Sequence, residues 1–350
     1  MSSNSTPESA LSREKTGIPV TTKIEWADMT INPVVGCSPC SPGCDNCYAE
    51  RFAARLAKNP KTAKKYSGVV DEKGKWTGVI DFDVSCLVKL PRKPKRIFVG
   101  SMCDLFHDSV MDNHLEQIVG HIGLTRDNAH HTFMLLTKRP ERMRDFFTRW
   151  EPYRKVTNVW LGVTVCNQAE ADAKIPVLLQ TPAAVRFVSV EPCLGPVDLR
   201  GKLCHWTCPD GSGSWFSPVP GKVHHRLLDW VICGGETGPG ARPMHPDWVR
   251  DLRDQCHGAR VPFFFKGWGR WLPCSQCADD DPYIEHLSRS TPYTEIGDDG
   301  ITDTDTGEGV ICRNGVNTEQ IFRIGKRRAG RLLDGRTCDE FPEGGRAYAN

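Results

Sequence analysis

Val159-Trp160-Leu161-Gly162-Val163 and, beyond a stretch of mixed polarity, Val185-Arg186-Phe187-Val188-Ser189 are short, nearly unbroken apolar runs, too short for core helices. Such runs fit strands buried on both faces, the signature of a parallel sheet. Outward from this pair, Phe133-Met134-Leu135-Leu136 and Arg96-Ile97-Phe98-Val99-Gly100 precede it. Trp230-Val231-Ile232-Cys233 and Pro262-Phe263-Phe264-Phe265 follow, and a strand near Ile31–Val35 would make seven. Amphipathic stretches lie between them, among them Leu115–Leu124 and Trp248–Cys256, the second introduced by His245-Pro246-Asp247, a plausible helix start. Alternating strands and helices specify an α/β fold. Six or seven repeats suit a parallel-stranded partial (β/α) barrel with loop insertions; a doubly wound open sheet is the competing arrangement.

Polar and ionisable residues follow the runs. They are Ser101-Met102-Cys103-Asp104, Thr137-Lys138-Arg139, Thr164, Val190-Glu191-Pro192, Gly234-Gly235-Glu236 and Lys266-Gly267-Trp268. In α/β barrels this edge of the sheet forms the active site, although charged strand ends are also common as solvated loops. Lys138, Glu191, Glu236 and Lys266 are the candidates for cofactor or substrate contacts, with Gly234 and Gly235 allowing a ligand close to the backbone.

The chain of 350 residues is 39% hydrophobic and 25% charged, ordinary for a globular protein, and its formal charge of +2 points to no particular class of partner. Residues 1–21 read as a disordered leader without the apolar core of a signal peptide. Residues 22–274 carry the barrel, with a cysteine loop at 36–50 and a Gly/Ser/Pro-rich insertion at 201–227. Residues 275–320 read as an acidic, polar excursion and 321–350 as a C-terminal segment. No apolar run approaches a membrane span. Basic stretches at Lys58–Lys65, Lys89–Arg96 and Lys326–Arg331 could contact phosphates and leave a nucleic-acid partner open.

Sixteen cysteines are the unusual feature of the composition. With no secretory signal, a reducing, cytoplasmic setting follows, where clustered thiols more often hold metal than pair. Gly36-Cys37-Ser38-Pro39-Cys40-Ser41-Pro42-Gly43-Cys44-Asp45-Asn46-Cys47-Tyr48-Ala49-Glu50 places four of them within eleven residues, leading into a helix over Tyr48–Leu56. Short spacings of soft thiolate ligands are the usual signature of iron–sulfur clusters. A closed Zn2+ site is the alternative, either in this loop or with Cys204/Cys208 and Cys274/Cys277. The remaining cysteines read mainly as small buried apolar residues.

Cys40, Cys44 and Cys47 have the C-x3-C-x2-C spacing of radical S-adenosylmethionine enzymes, whose 4Fe–4S cluster keeps one iron open for S-adenosylmethionine. A more specific set resembles the phage-associated three-Cys-motif family. It comprises Lys23-Ile24-Glu25-Trp26-Ala27-Asp28, Asn32-Pro33, Gly36-Cys37, Ser41-Pro42-Gly43-Cys44 and Cys47-Tyr48-Ala49-Glu50. It continues through Leu136-Thr137-Lys138-Arg139-Pro140, Trp160–Val165, Ser189-Val190-Glu191-Pro192, Gly234–Met244, Phe263-Phe264-Phe265-Lys266 and Ala329–Gly335. That family pattern, C-x6-C-x2-C, falls on Cys37, Cys44 and Cys47 and makes Cys40 the alternative to Cys37. The resemblance implies a radical-SAM-like relationship, and with it a 4Fe–4S cluster and S-adenosylmethionine. Gly234-Gly235-Glu236 follows a later strand than the Gly-Gly-Glu of the general radical SAM pattern.

Two functions are therefore expected. One is an enzyme performing radical chemistry on an unidentified substrate, with nucleic acid among the candidates, an unidentified electron donor, and room for a partner protein encoded nearby. The other is a zinc- or cluster-stabilised module that binds nucleic acid or a partner without catalysis.

Overall fold

The seven apolar runs do become one parallel sheet: β1 (Met29–Ile31), β2 (Arg96–Val99), β3 (Thr132–Thr137), β4 (Val159–Val165), β5 (Val185–Val190), β6 (Trp230–Gly234) and β7 (Phe263–Gly267). The computed structural model describes residues 20–87, 90–207, 214–215, 223–277, 293–297, 302–303 and 318–343. The strands lie side by side in chain order. A doubly wound sheet would reverse direction part-way; this one does not. The longer helices are α1 (Tyr48–Ala57), α2 (Asp112–Leu124), α3 (Pro140–Arg149), α4 (Gln168–Gln180) and α5 (Pro246–Gly258). The imidazole of His245 starts α5 by accepting the Asp247 amide at 3.2 Å, as the His-Pro-Asp run anticipates.

Side chains alternate across each strand. One phase, including Ile97, Leu135, Leu161, Val188, Val231 and Phe265, packs against the helices. The opposite phase, including Phe98, Met134, Trp160, Phe187, Trp230 and Phe264, packs against itself. Trp26, just before β1, touches both Phe98 of β2 and Trp230 of β6, with ring centroids 4.8 and 6.3 Å apart. In a flat sheet those two strands would be about 19 Å apart at the usual spacing, so the sheet curls around an aromatic interior into a partial barrel. Gly162 makes room there: a Cβ would sit 2.4 Å from the Phe187 ring. Phe341 closes the N-terminal end, its ring 5.0 Å from Trp230 and under the Arg96 guanidinium at 3.9 Å. The C-terminal strand ends stay open.

Four expectations shift. Val20–Thr21, assigned to the leader, pair antiparallel with Met29 and Thr30 and cover the β1 edge, as β-branched residues favour; the rest of the leader lies outside the described residues. The strand expected near Ile31–Val35 divides. Pro33 has no amide for a ladder, and Asn32 turns its side-chain oxygen to Ser101 Oγ and the Met102 amide (3.1 and 3.0 Å). Val34–Val35 then pair with Asp81–Phe82 instead. Within the 201–227 insertion, Cys204–Thr207, Ser214–Trp215 and Val223–Arg226 form an antiparallel ribbon. The polar excursion contributes to a four-stranded antiparallel sheet of Trp271–Pro273, Tyr293–Gly297, Thr302–Asp303 and Thr318–Arg323, which runs past both of its expected boundaries.

Candidate functional site

The open end of the barrel holds a cavity of about 350 Å3. Its floor is the top of the aromatic interior (Trp26, Phe98, Leu136), and its wall carries Lys138, Glu191 and Lys266 from the ends of β3, β5 and β7. These three residues continue the inward phase of their strands. Cys37, Cys40, Cys44 and Cys47 all line the same cavity, as do Gly235 and Glu236, whereas Gly234 does not.

The cysteine loop takes its shape locally. Gly36, at φ +100°, passes so close to Val79 that a Cβ would lie 2.2 Å from its carbonyl oxygen. Ser41 Oγ accepts the Gly43 amide at 3.2 Å and opens a single helical turn at Pro42–Cys44. Gly43 rests on the sulfur of Cys166, which a Cβ would approach to 2.4 Å. Cys47 then stands at the start of α1.

Two networks pin the loop to the barrel. On one side Arg139 Nη2 donates to Ser38 O and Ser38 Oγ at 3.1 and 3.0 Å, while its Nη1 lies 3.2 Å from Asp104 Oδ2. Asp104 is buried and also accepts from Thr137 Oγ1 (2.6 Å) and the Lys138 and Phe106 amides (3.0 Å each), which ties the ends of β2 and β3 together. On the other side Glu236, equally buried, accepts from Arg242 Nη2 at 2.6 Å and Nε at 2.9 Å, and from Asn46 Nδ2 at 3.1 Å. Arg242 donates in turn to Pro42 O (2.9 Å) and Asp45 Oδ2 (3.2 Å). The carboxylate of Glu236 is thus engaged in holding the loop.

The cavity wall mixes charges. Lys266 Nζ lies 2.9 Å from Glu191 Oε1, and Ser189 Oγ donates to Glu191 Oε2 at 3.0 Å. Gly234 leaves room for that carboxylate, whose Oε1 would be 2.7 Å from a Cβ. Burial disfavours the Lys266 ammonium, but Glu191 outweighs it and raises the pKa. Lys138 is also raised: against burial act the charges of Cys44, Cys166 and Asp104. Among the thiols, burial and then Asp104 push Cys37 up to about 11. A hydrogen bond from Cys40 pushes Cys44 down to about 5 and raises Cys40 itself. Cys44 is the thiol readiest to become a nucleophilic or metal-binding thiolate.

Among the described residues no three His, Cys, Asp or Glu side chains yet converge into a metal-holding group. The donor set nevertheless fits an iron–sulfur centre in kind: soft thiols on one loop, at one cavity rim, beside two cations. Of the other cysteines considered for zinc, Cys204 is buried in the core, Cys274 is exposed, and Cys208 lies outside the described residues. Cys166, Cys193, Cys233 and Cys256 are buried as expected of apolar residues.

The model of a family of proteins of unknown function, DUF5131, matches residues 21–342. The chain belongs to that family. No curated protein matches this DUF5131 chain. Among solved structures it is similar to spore photoproduct lyase. A single mutant of that enzyme is 12% identical over 90% of this chain and 73% of the other, with a TM-score of 0.39. A double mutant with bound AdoMet and dinucleoside spore photoproduct gives 11%, 89%, 72% and 0.39. A further mutant, 11% identical, covers 71% of this chain and 66% of its own, just under two thirds, at 0.37. The likeness is remote. No helix among the described residues of the DUF5131 chain is long and apolar enough to cross a membrane.

Four residues that build the DUF5131 site were not singled out from the sequence: Asp104, Arg139, Asn46 and Arg242. Asp104 and Arg139 follow strands β2 and β3, and the strand-end rule that selected Lys138 reaches them equally. Asn46 and Arg242 lie inside stretches quoted for the cysteine loop and the family resemblance, but nothing in those stretches points to a pairing between them. They lie far apart in the chain and meet only because Glu236 stands at the β6 end.

Proposed function

We propose that this DUF5131 chain is a radical S-adenosylmethionine enzyme, its cluster held by Cys37, Cys44 and Cys47. The supporting observation is that the thiols of one loop line the mouth of a curved parallel sheet together with Lys138, Glu191 and Lys266. Family resemblance favours Cys37 as the first ligand, and the Cys40–Cys44 contact makes Cys40 its competitor. A cluster held by these cysteines would supply the one-electron reduction that radical chemistry with S-adenosylmethionine requires.

The chain's own residues do the rest. Lys138, charged and close to Cys44, offsets the negative charge of the thiolates. Lys266 and Glu191 offer an ammonium and a carboxylate side by side, complementary to the two ends of an amino acid. Glu236, already paired with Arg242, holds the loop instead of the cofactor. Trp26, Phe98 and Leu136 give the cavity an apolar floor that keeps water from a reactive species.

Anaerobic reconstitution followed by metal analysis tests this reading, with about four irons per chain expected and 5′-deoxyadenosine formed under reducing conditions. Stoichiometric zinc without iron would replace the enzyme by a metal-stabilised binding module. Cys44→Ala and Cys47→Ala each abolish iron binding. Cys37→Ala abolishes it while Cys40→Ala keeps it; the reverse result moves the first ligand to Cys40.

A further inference from the structure

Beside the mouth of the cavity runs a second groove of about 330 Å3, lined by Gly238, Arg270, Ile324, Gly325, Lys326, Arg327 and Arg328. Four of the seven residues are cationic and none is acidic. Lys326 lies 2.7 Å from Glu25, but among the described residues neither Arg270 nor Arg327 has a carboxylate partner. The Arg270 Nε is buried without a hydrogen-bond partner. Two guanidinium groups without a carboxylate on the lining of one groove repel one another, and a bound anion relieves that repulsion with charge-assisted hydrogen bonds.

The groove is fixed in place. The Gly325 amide donates to Arg270 O and the Arg270 amide to Glu236 O, both at 3.0 Å, so its floor is tied to the clamp beneath the cysteine loop. It is also continuous with the cavity: Lys326 lines both, and Thr237 on the cavity wall adjoins Gly238 in the groove. At that junction Arg51 Nη2 donates to Thr237 O at 2.9 Å, adding a fifth cation. Glycine is favoured at 238 by its φ of +104°, which side-chain-bearing residues rarely adopt.

We propose that this groove binds a phosphate group of the substrate, and that the substrate is a nucleotide or a nucleic-acid strand whose nucleoside reaches into the adjoining cavity. The second half of this inference rests on the cavity being the reactive site; phosphate binding does not. Four phosphate contacts to a single strand give a salt slope of about −2.8, so affinity falls about 50-fold between about 50 and about 200 mM salt. Without two of the contacts the slope is about −1.4 and the same change costs about sevenfold.

The experiment measures anisotropy of a labelled single-stranded oligodeoxynucleotide, and separately of a labelled mononucleotide, with the full chain across that salt range. Arg270→Ala/Arg327→Ala weakens binding and halves the slope, and exposed Arg327→Glu does so without disturbing the half-buried Arg270. Arg126→Ala/Lys155→Ala, which removes the same charge from exposed positions ahead of β3 and β4, at the opposite end of the barrel, leaves the slope unchanged. Binding of the strand alone identifies a polynucleotide, and equal binding of the mononucleotide a small phosphorylated substrate. An equal loss in the Arg126/Lys155 control, or no loss in either groove variant, overturns the proposal. Cys44→Ala keeps oligonucleotide binding while losing iron, so failure of the groove is distinguishable from failure of the cluster.

Discussion

Glu236→Gln separates two roles for the carboxylate that follows β6. Its side chain is 5% exposed and that of Arg242 34%. The carboxylate accepts four bonds, from Arg242 N, Nε and Nη2 and from Asn46 Nδ2. An amide keeps one oxygen and turns an NH2 group against a guanidinium. Charge-assisted bonds are worth roughly 1.5–3 kcal/mol each, but Arg242 is exposed enough for water to recover part of the loss. A net cost of about 2 kcal/mol follows, which lowers Tm by about 3 °C in a chain of this length. Because Arg242 also holds Pro42 O and Asp45, the cysteine loop loosens, and iron retained after gel filtration falls with Tm. Molecules that retain iron bind S-adenosylmethionine as the parent does. Unchanged Tm and iron content combined with lost S-adenosylmethionine affinity would refute the clamp and return Glu236 to the cofactor.

Gly162→Ala places a methyl within 2.4–2.6 Å of three Phe187 ring carbons, an overpacking cost of about 1–3 kcal/mol in thermal unfolding. Adding Phe187→Leu restores part of it, and a double variant no more stable than the single would show that the ring is not the obstacle. Asp334→Asn reports on the acid limb of stability. Asp334 lies 2.9 Å from Arg250 Nη2 and 2.7 Å from Arg253 Nη1. Burial opposes the charged form, but bonds from Arg250, Gln276 and Arg253 outweigh it and depress the pKa below the ordinary carboxylate value. The stabilisation is therefore complete above the unfolded-state pKa, near 4, and is lost as pH falls through the folded value. Urea midpoints of parent and variant should differ at pH 6 and converge as the pH is lowered through 3; a constant gap contradicts the assignment.

The barrel was legible because its signal is local. Runs such as Val159–Val165 and Trp230–Gly234 are apolar on both faces, and both faces are buried. The same two-residue period carried Lys138, Glu191 and Lys266 into the cavity. Misreadings arose where a side chain competes with the backbone. Asn32 captures the Met102 amide and ends β1 early, which a run of apolar residues through Val35 conceals. The clamp around Glu236 was not legible either: its partners Asn46 and Arg242 lie 190 residues before it and six after, on loops without periodicity.

The loop itself explains why such partners are needed. Residues 37–46 are thiols, serines, prolines, a glycine and two short polar side chains, with little apolar area to bury, so the hydrophobic effect cannot set their orientation. Directional bonds must do it. Arg139 grips Ser38 O from the β3 side and Arg242 grips Pro42 O from the β6 side, so the backbone is held two residues before and two residues after Cys40. Both arginines bind carbonyl oxygens and not the sulfurs, which fixes where the loop stands without tying the thiols to the barrel and would let them turn toward a metal. A loop anchored through its cysteines instead would have to break those contacts before ligation could begin.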